Sequence, residues 1–239
     1  MEDPRPETYL GPILPMDNAF VDHWTWDRDK SAKSHEVRLY GQKATFHPRW
    51  SNATAGVRGT RILNNGRYYW EVNVSNRVFG TSMMFGIGTK NARLHANAFV
   101  NMLGETADSW GLSHKGILWH NGDHRRYTDS FKENTATTIG IYFDGLAGTL
   151  TYYKDGVNLG EAFNGLEKVQ EPLYPIICST AAKTEMTLGV TIQDRLNHEN
   201  QIEQLELPDT LKKLCISEGP SEESQEDWLF VDWAKVKGD

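Results

Sequence analysis

The stretch Ile139–Gly160 reads IGIYFDGLAGTLTYYKDGVNLG, and its pattern predicts the fold of the chain. From Ile139 to Phe143 the most apolar side chains occupy every second position, which is typical of a β-strand with one buried face. Asp-Gly pairs at 144–145 and 155–156 then mark two tight turns, because glycine adopts the positive φ of such turns without strain. The stretch therefore predicts an antiparallel meander whose last strand ends before Gly160.

Similar short runs follow one another along the rest of the chain, with a turn signal every ten residues or so, roughly the spacing of β-sandwich strands. Arg67–Val74, for example, reads RYYWEVNV and follows an Asn-Asn-Gly turn. The whole pattern predicts an all-β fold, an antiparallel sandwich of two sheets. The inward side chains of its core are expected to include Trp70, Phe85, Ile141 and Phe143.

Two longer segments lack this alternation and are predicted to be loops. Pro48–Gly59 is rich in small residues and is expected to expose Arg49 and Trp50. Asn91–Asp108 is polar with interspersed apolar residues, and a single helical turn could form within it. Because binding residues occur more often on loops than on the scaffold, Pro48–Gly59 is a candidate for a functional surface.

Composition excludes several classes of protein. The 239 residues carry a formal net charge of −7, which argues against non-specific binding to nucleic acid or to anionic membranes. The two cysteines, Cys178 and Cys215, are too few for a disulfide framework or a zinc cluster and favour a reducing compartment. We see no secretory signal pattern, and no apolar run approaches the roughly 18 residues of a membrane span. The chain is expected to be soluble and intracellular, in the cytoplasm, the nucleus or both.

Residues that could carry catalysis have simpler interpretations. A metal site could be imagined from His114, His120, Asp123 and His124, but nothing in their spacing fixes a ligand geometry. Glu71 and Asp144 could be paired carboxylates for glycoside hydrolysis, but each is more simply a solvated or a turn residue. The sequence has no nucleophile elbow, phosphate loop or dinucleotide fingerprint. A binding module that is not an enzyme and needs no cofactor is favoured, with a lectin-like or carbohydrate-active sandwich as an alternative.

Several phrases of the sequence, in the same order, resemble the SPRY domain: Arg67–Val72, Phe85–Gly88, Ser109–Gly111, the Ile139–Gly160 meander and Leu173–Pro175. Further phrases resemble the SPRY domain-containing SOCS-box family: Val57–Thr60, Met102–Gly104 and Gly160–Phe163. Gly80–Met84 and Cys178–Ala182 narrow the resemblance to one member type. The resemblance implies a bent antiparallel β-sandwich of the SPRY/B30.2, concanavalin-like jelly-roll type.

The resemblance also implies that loops at one edge of the sandwich bind a short Asn-containing segment of a target protein. Carried over by position, the peptide-binding residues are His47, Arg49, Ser51, Thr81, Phe99, Met102, Glu105, Thr180, Ala181 and Ala182. Phe99, Met102 and Thr180 are expected to pack less tightly than the strand residues. The best-known peptide binders of the family have Trp where this chain has Ala181, and Arg and Pro where it has His47 and Arg49, so a different peptide preference is expected.

In the family, the SOCS box recruits Elongin B/C and a cullin, so that the bound protein is ubiquitinated. By resemblance, the Elongin-binding residues would be Ile192, Leu196, Leu207, Pro208 and Leu211. The second half of the box resembles Leu205–Leu214, but Thr191–Leu196 lacks the Cys expected in the helix of the first half. Two readings therefore stay open: a ligase adaptor that recruits Elongin weakly, and a SPRY scaffold without a ligase link.

The same features predict four regions along the chain. Residues 1–20 form a proline-containing extended arm, and residues 21–192 form the SPRY domain. Residues 193–216 form a degenerate SOCS-box-like segment with a short helix near Pro208–Leu214, and residues 217–239 form an acidic and aromatic tail.

Overall fold

The computed structural model describes residues 14–16, 18–63 and 66–194 of the chain. Within these residues the backbone forms β-strands and two 3-10 helices of one turn each, at Lys30–Ala32 and Leu166–Lys168. The strands are β1 (Ala19–Val21), β2 (Val37–Tyr40), β3 (Lys43–Phe46), β4 (Thr54–Arg58), β5 (Arg67–Val74), β6 (Met83–Gly88), β7 (His95–Ala96), β8 (Ser109–Ser113), β9 (Ile117–His120), β10 (Asp123–Arg126), β11 (Thr137–Asp144), β12 (Thr149–Lys154), β13 (Val157–Phe163), β14 (Tyr174–Ser179) and β15 (Thr184–Asp194).

The strands form two antiparallel sheets, as the sequence predicts. The first sheet has the order β13-β12-β11-β5-β15-β3-β2, with β1 added beside β15. The second sheet has the order β10-β9-β8-β6-β14-β4-β7. The two sheets pack face to face, and the predicted inward residues Trp70, Phe85, Ile141 and Phe143 are all buried in the cluster between them. A hydroxyl also joins the sheets, because Tyr152 on β12 donates a hydrogen bond to the Phe85 carbonyl on β6 (2.9 Å).

The predicted meander is formed by β11, β12 and β13. Asp155 (φ 50°) and Gly156 (φ 80°) both have positive φ, as a primed hairpin turn requires. The third strand is longer than predicted, because β13 continues through Gly160 to Phe163. Shifts of register against β12 interrupt this ladder, and Gly160 (φ 91°) adopts a backbone conformation that favours glycine, so the strand bends there and does not end.

Two predictions for the loops are wrong. The predicted loop Pro48–Gly59 contains β4, which is almost wholly buried between β14 and β7. Its small residues serve close packing, since a side chain at Gly56 would meet the Met102 methyl group at 2.9 Å. The segment Asn91–Asp108 contains β7 and no helical turn. Arg49 and Trp50 lie before β4 and are exposed, as predicted.

The last described strand bears on the SOCS-box prediction. Thr191–Asp194, expected near the start of a box helix, belongs to β15 and pairs with Arg67–Trp70 of β5. Ile192 is half-buried there, against the tyrosine cluster Tyr69, Tyr142 and Tyr153. The predicted boundary at residue 192 falls inside this strand. The other residues predicted to bind Elongin, the predicted helix near Pro208 and the predicted tail lie outside the described residues, so those predictions stay open.

Candidate functional site

Three loops meet at one end of the second sheet, where β6 begins and β14 ends. We call residues 47–51, 80–82 and 180–182 the loop cluster. Thr180 donates from its backbone N–H and from its hydroxyl to the Ser82 carbonyl (2.9 Å each), and its hydroxyl oxygen accepts from the Ser82 N–H (2.9 Å). The Ser51 hydroxyl donates to the Thr180 carbonyl (2.6 Å). These hydrogen bonds fix the three loops relative to one another.

Local backbone geometry makes these contacts possible. Gly80 has φ 99°, and a side chain there would come within 3.1 Å of the Ala181 methyl group, so a glycine lets the two loops approach. His47 has φ 46° at the end of β3, and its Nε2–H donates to the Ser179 carbonyl (3.0 Å). The Lys183 N–H donates to the Phe46 and His47 carbonyls, at 2.9 and 3.0 Å, and anchors the far side of the cluster.

The ten predicted peptide-binding residues differ in exposure. The exposed ones are Arg49, Thr81, Phe99 and Glu105, the half-buried ones are Ser51 and Ala182, and the buried ones are His47, Met102, Thr180 and Ala181. The expectation that Phe99, Met102 and Thr180 pack loosely is therefore wrong for two of the three. Met102 is 1% exposed and packs in a cluster with residues such as Met84 and Cys178, because its loop folds over β4. Thr180 is 3% exposed, and its hydroxyl and N–H are satisfied by bonds to Ser82.

Not all ten residues belong to the loop cluster. Phe99 lies close to the start of β4, because the Thr54 hydroxyl donates to the Ala98 carbonyl (2.7 Å) and accepts from the Val100 N–H (3.0 Å). Glu105 lies nearer to the opposite end of the loop. Its carboxylate pairs with Arg93 (2.5 Å), and its neighbour Gly104 accepts from Gly122 in the β9–β10 turn (2.8 Å).

Sequence reasoning missed two residues that hold the loop cluster together, Ser82 within it and Arg77 beside it. Ser82 supplies the backbone groups that hold Thr180. Arg77 donates to the Ala182 carbonyl (3.2 Å), and its guanidinium lies 5.0 Å from the centroid of the Phe79 ring. Ser82 could have been found, since it stands between the predicted Thr81 and the predicted strand that begins at Met83. The sequence pattern gives no signal for Arg77.

The candidate catalytic groups are committed to structural contacts. Within the described residues, no group of three or more His, Cys, Asp or Glu side chains could hold a metal ion. His114 is buried and its Nδ1 accepts from the Met83 N–H (3.1 Å), while His120 and His124 stack on separate tryptophans. Burial raises the pKa of the Cys178 thiol to about 12, which keeps it protonated at neutral pH.

The two carboxylates considered for glycoside hydrolysis also have structural partners. Glu71 is buried, which corrects its reading as a solvated residue, and it accepts from the Tyr69 hydroxyl (2.8 Å). Asp144 is a turn residue, as expected, and accepts from the backbone N–H groups of Leu146 and Ala147 (3.0 Å each). Across the described part of the chain, no helix is long and apolar enough to cross a membrane.

Comparison with known proteins identifies the class. A family profile of the SPRY domain matches residues 67–191, which is more than half of the chain, so the chain belongs to the SPRY domain family. The SPRY domain of human HERC1 superposes with a TM-score of 0.55 at 18% identity, covering 68% of this chain and 96% of that one. The TRIM65 PSpry domain superposes with a TM-score of 0.52 at 21% identity, covering 70% and 90%. These two likenesses support the fold.

The relatives point to one branch of the family. SPRY domain-containing SOCS box protein 3 from Xenopus tropicalis, and likewise from Xenopus laevis, is 37% identical over 172 residues, covering 71% of this chain and 46% of the relative. Protein gustavus from Drosophila melanogaster is 29% identical over 206 residues, covering 71% of each. The predicted resemblance to the SOCS-box family and its type 3 member is thus confirmed. The chain spans about half the length of the type 3 relatives (46%), and the family indicates a protein-interaction role.

The different burial of Met102 and Phe99 can be tested by the effect of each side chain on stability. We expect Met102→Ala to lower the free energy of unfolding by about 2–5 kcal/mol, because it leaves a cavity over β4. Phe99→Ala is the matched control, and since Phe99 is 47% exposed the change should stay within about 1 kcal/mol. Urea unfolding followed by tryptophan fluorescence measures both. Equal losses for the two variants would contradict the assigned burial.

His47 gives a prediction for the effect of pH. Burial lowers the pKa of His47 below the usual 6.5 and outweighs the pull of the nearby Glu36 carboxylate. Below pH 6.5 the unfolded chain therefore binds this proton more readily, and stability falls as pH falls through the folded-state pKa, by up to about 1.4 kcal/mol per pH unit.

The measurement compares wild type with His47→Gln, in which the amide can still donate to Ser179 but cannot titrate. From pH 7.5 to about 5.5, the free energy of unfolding should fall further in wild type than in the variant. Burial also lowers the pKa of His114, but that contribution is common to both proteins and cancels. An identical pH dependence in both would remove His47 as a cause.

Proposed function

We propose that the chain is a non-catalytic adaptor that binds a short Asn-containing segment of a target protein at a surface formed by the loop cluster and the exposed Phe99. The observation that carries the proposal is the set of hydrogen bonds joining Ser51, Ser82 and Thr180. Through them, three loops far apart in sequence present one continuous, preformed surface. Preformed loops lose little conformational entropy on binding, which favours recognition of a flexible peptide.

The division between buried and exposed residues suggests how recognition works. Thr180 and His47 use their polar groups on neighbouring loops and hold the frame. Arg49, Thr81 and Phe99 are exposed and available to a peptide. An Asn side chain needs both donors and acceptors, which exposed loop backbone and a threonine hydroxyl can supply, while the Phe99 ring offers apolar contact.

The aromatic contact is proposed to come from a different loop than in the family pattern. Ala181 is buried, and its methyl group adjoins Gly80, so this position offers no ring to a ligand. Trp50 is 66% exposed between Arg49 and Ser51. Rigid, exposed aromatic side chains are frequent anchors of protein interfaces. A shift of the aromatic residue to position 50 would alter which neighbours of the Asn are preferred.

We propose that the target is presented to a cullin–Elongin B/C ubiquitin ligase. The support is that the type 3 relatives are named as SOCS box proteins. A scaffold role without a ligase link is the second candidate. It is favoured by one observation: Ile192, a residue expected to bind Elongin, is already packed in β15. Cytoplasmic or nuclear localisation is part of the proposal and fits both candidates.

The peptide site is tested by selecting a displayed random-peptide library on the purified chain. We expect one enriched group of peptides to contain Asn, and we expect Phe99→Ala to weaken its binding by about 1–3 kcal/mol while leaving the fold intact. Val157→Ala is the matched control, because Val157 is an exposed apolar residue on β13 (64% exposed). Peptides that bind Phe99→Ala and wild type equally would place recognition elsewhere.

The ligase link is tested by mixing the chain with purified Elongin B/C on gel filtration. We expect no stable complex, or one much weaker than an intact SOCS box gives, since a box helix contributes affinity by inserting apolar side chains into a groove. Thr191–Asp194 is paired in β15 and would have to leave the sheet to join such a helix. A tight stoichiometric complex would support the ligase adaptor, and no detectable complex would favour the scaffold without a ligase link.

A further inference from the structure

A cavity of about 400 Å³ lies between the end of β13 and the β8–β10 strands. It is distinct from the loop cluster. Its wall includes Trp110, which pairs with Ile87 near the end of β6, whereas the loop cluster adjoins the beginning of β6 at Ser82. Its volume is in the range of pockets that take a peptide side chain or a small ligand, roughly 300–1,000 Å³.

The described part of the cavity wall combines apolar side chains with polar groups that include a cation and no anion. Apolar contact comes from Trp110, Phe163, Leu166 and Val169. Polar groups come from His120, Arg125 and Asn164, and no carboxylate belongs to the described lining. An apolar floor with a guanidinium at its rim suits a ligand that has an apolar group and an anionic group, since Arg pairs with carboxylates in two-pronged geometry.

The polar groups of the wall are held in place. His120 stacks on Trp110 with ring centroids 4.4 Å apart, and its Nδ1–H donates to the Ser109 carbonyl (2.9 Å). Arg125 donates one N–H to the Ala162 carbonyl, which leaves further N–H groups for a ligand. The nearby Glu161 carboxylate accepts from the Asn164 amide (2.8 Å).

Beside the cavity, β10 is the end strand of its sheet, and all four of its residues are exposed. The Tyr127 N–H, just after β10, donates to the Gly116 carbonyl, just before β9 (2.9 Å). Carried back along the antiparallel register, this bond means that the odd-numbered residues of β10 direct their backbone N–H and C=O groups to β9. The backbone N–H and C=O groups of His124 and Arg126 therefore face outward. In the described residues they have no backbone partner.

The charge of this edge indicates what would pair with it. Two arginines of the strand, Arg125 and Arg126, stand against one acidic residue, Asp123. Arg126 does pair with Asp129 (2.7 Å), but both side chains are largely exposed and such pairs are weak. A basic edge repels another copy of itself and attracts an acidic strand, so the charges protect the edge from self-association without closing it to a complementary partner.

We infer that β10 and the adjoining cavity form a second peptide-binding surface, which takes an extended acidic segment of a partner protein as an added strand. The segment pairs with the outward backbone groups of His124 and Arg126. A carboxylate of the segment meets Arg125, which lies on the cavity side. An apolar side chain two residues along the segment lies on the same face and enters the cavity, because side chains of a strand alternate between faces.

The library selection described above tests this inference with charge variants. A second group of enriched peptides should carry an acidic residue two positions from an apolar one. Their affinity, measured by fluorescence anisotropy on synthetic peptides, should fall at least about tenfold in Arg125→Glu, a difference of roughly 1.4 kcal/mol or more. Arg49→Glu is the matched control in the loop cluster and should leave this group unchanged. Phe99→Ala should also leave it unchanged, which separates the second surface from the first.

A proline variant tests the strand pairing itself. Arg126→Pro removes an outward N–H that takes no part in the ladder to β9, so an end strand should tolerate it. Arg126→Ala removes the same charge and keeps the N–H. We expect the proline variant to bind the acidic peptides at least about tenfold more weakly than the alanine variant, at an unchanged melting temperature. If Arg126→Pro unfolds the domain, hydrogen exchange of the His124 and Arg126 amides in wild type replaces it, and both should slow when peptide is added.

Three results would overturn the inference. The first is a selection that yields no acidic group of peptides. The second is an acidic group whose affinity is the same in Arg125→Glu as in wild type. The third is an acidic group whose addition leaves exchange of the His124 and Arg126 amides unchanged, because binding would then not involve the edge of β10.

Discussion

The pairing of β5 with β11 on one side and β15 on the other is the constraint on which the structure depends. All eight residues of β5, from Arg67 to Val74, pair with β11, and most of them also pair with β15. Arg67 closes one end of this arrangement, since its guanidinium contacts Asp144 (2.9 Å) and Asp194 (3.5 Å), one on each neighbouring strand. A slip of one residue would turn Trp70 from the core to the opposite face, so the hydrophobic pattern and the ion pairs enforce the same register.

The second sheet owes its register to close approach more than to charge. A side chain at Gly86 would collide with the Trp110 carbonyl, so β6 and β8 fit together only with glycine there. A side chain at Gly111 would meet Leu103 at 2.5 Å, so glycine there lets the preceding loop pack on β8. Because β6 pairs with β14 along its whole length, the positions of Ser82 and Thr180 at the ends of these strands are fixed by the core. The loop cluster is thus a consequence of strand register, with hydrogen bonds added where the strands end.

The sequence predicts what is decided locally and fails where distant segments meet. The meander could be predicted because Asp155-Gly156 requires a tight turn and the flanking residues alternate. The strand β4 could not, because Gly56 is small to accommodate Met102 and Cys178, which are distant in sequence. The same contact explains the error on Met102: a loop that folds over a small-residue strand buries its own apolar side chains. The family resemblance predicted that a candidate site lies near Thr180. It could not predict which side chains are exposed to a ligand, because exposure depends on tertiary packing.

The two proposed surfaces lie towards opposite ends of β6 and differ in whether their polar groups are already paired. In the loop cluster, buried polar groups such as Thr180 and the Ser82 backbone satisfy one another, so a ligand meets a rigid frame and gains from shape and from exposed loop groups. At β10, the backbone groups of His124 and Arg126 are left for a partner to satisfy, and exposed charge guides the approach. Exposed charges are screened by salt while contacts in a preformed frame are screened much less, so occupancy of the two surfaces depends differently on ionic strength. Because no residue is shared between the cavity wall and the loop cluster, the two proposed surfaces would let one chain hold two segments at once, which is the property that an adaptor needs.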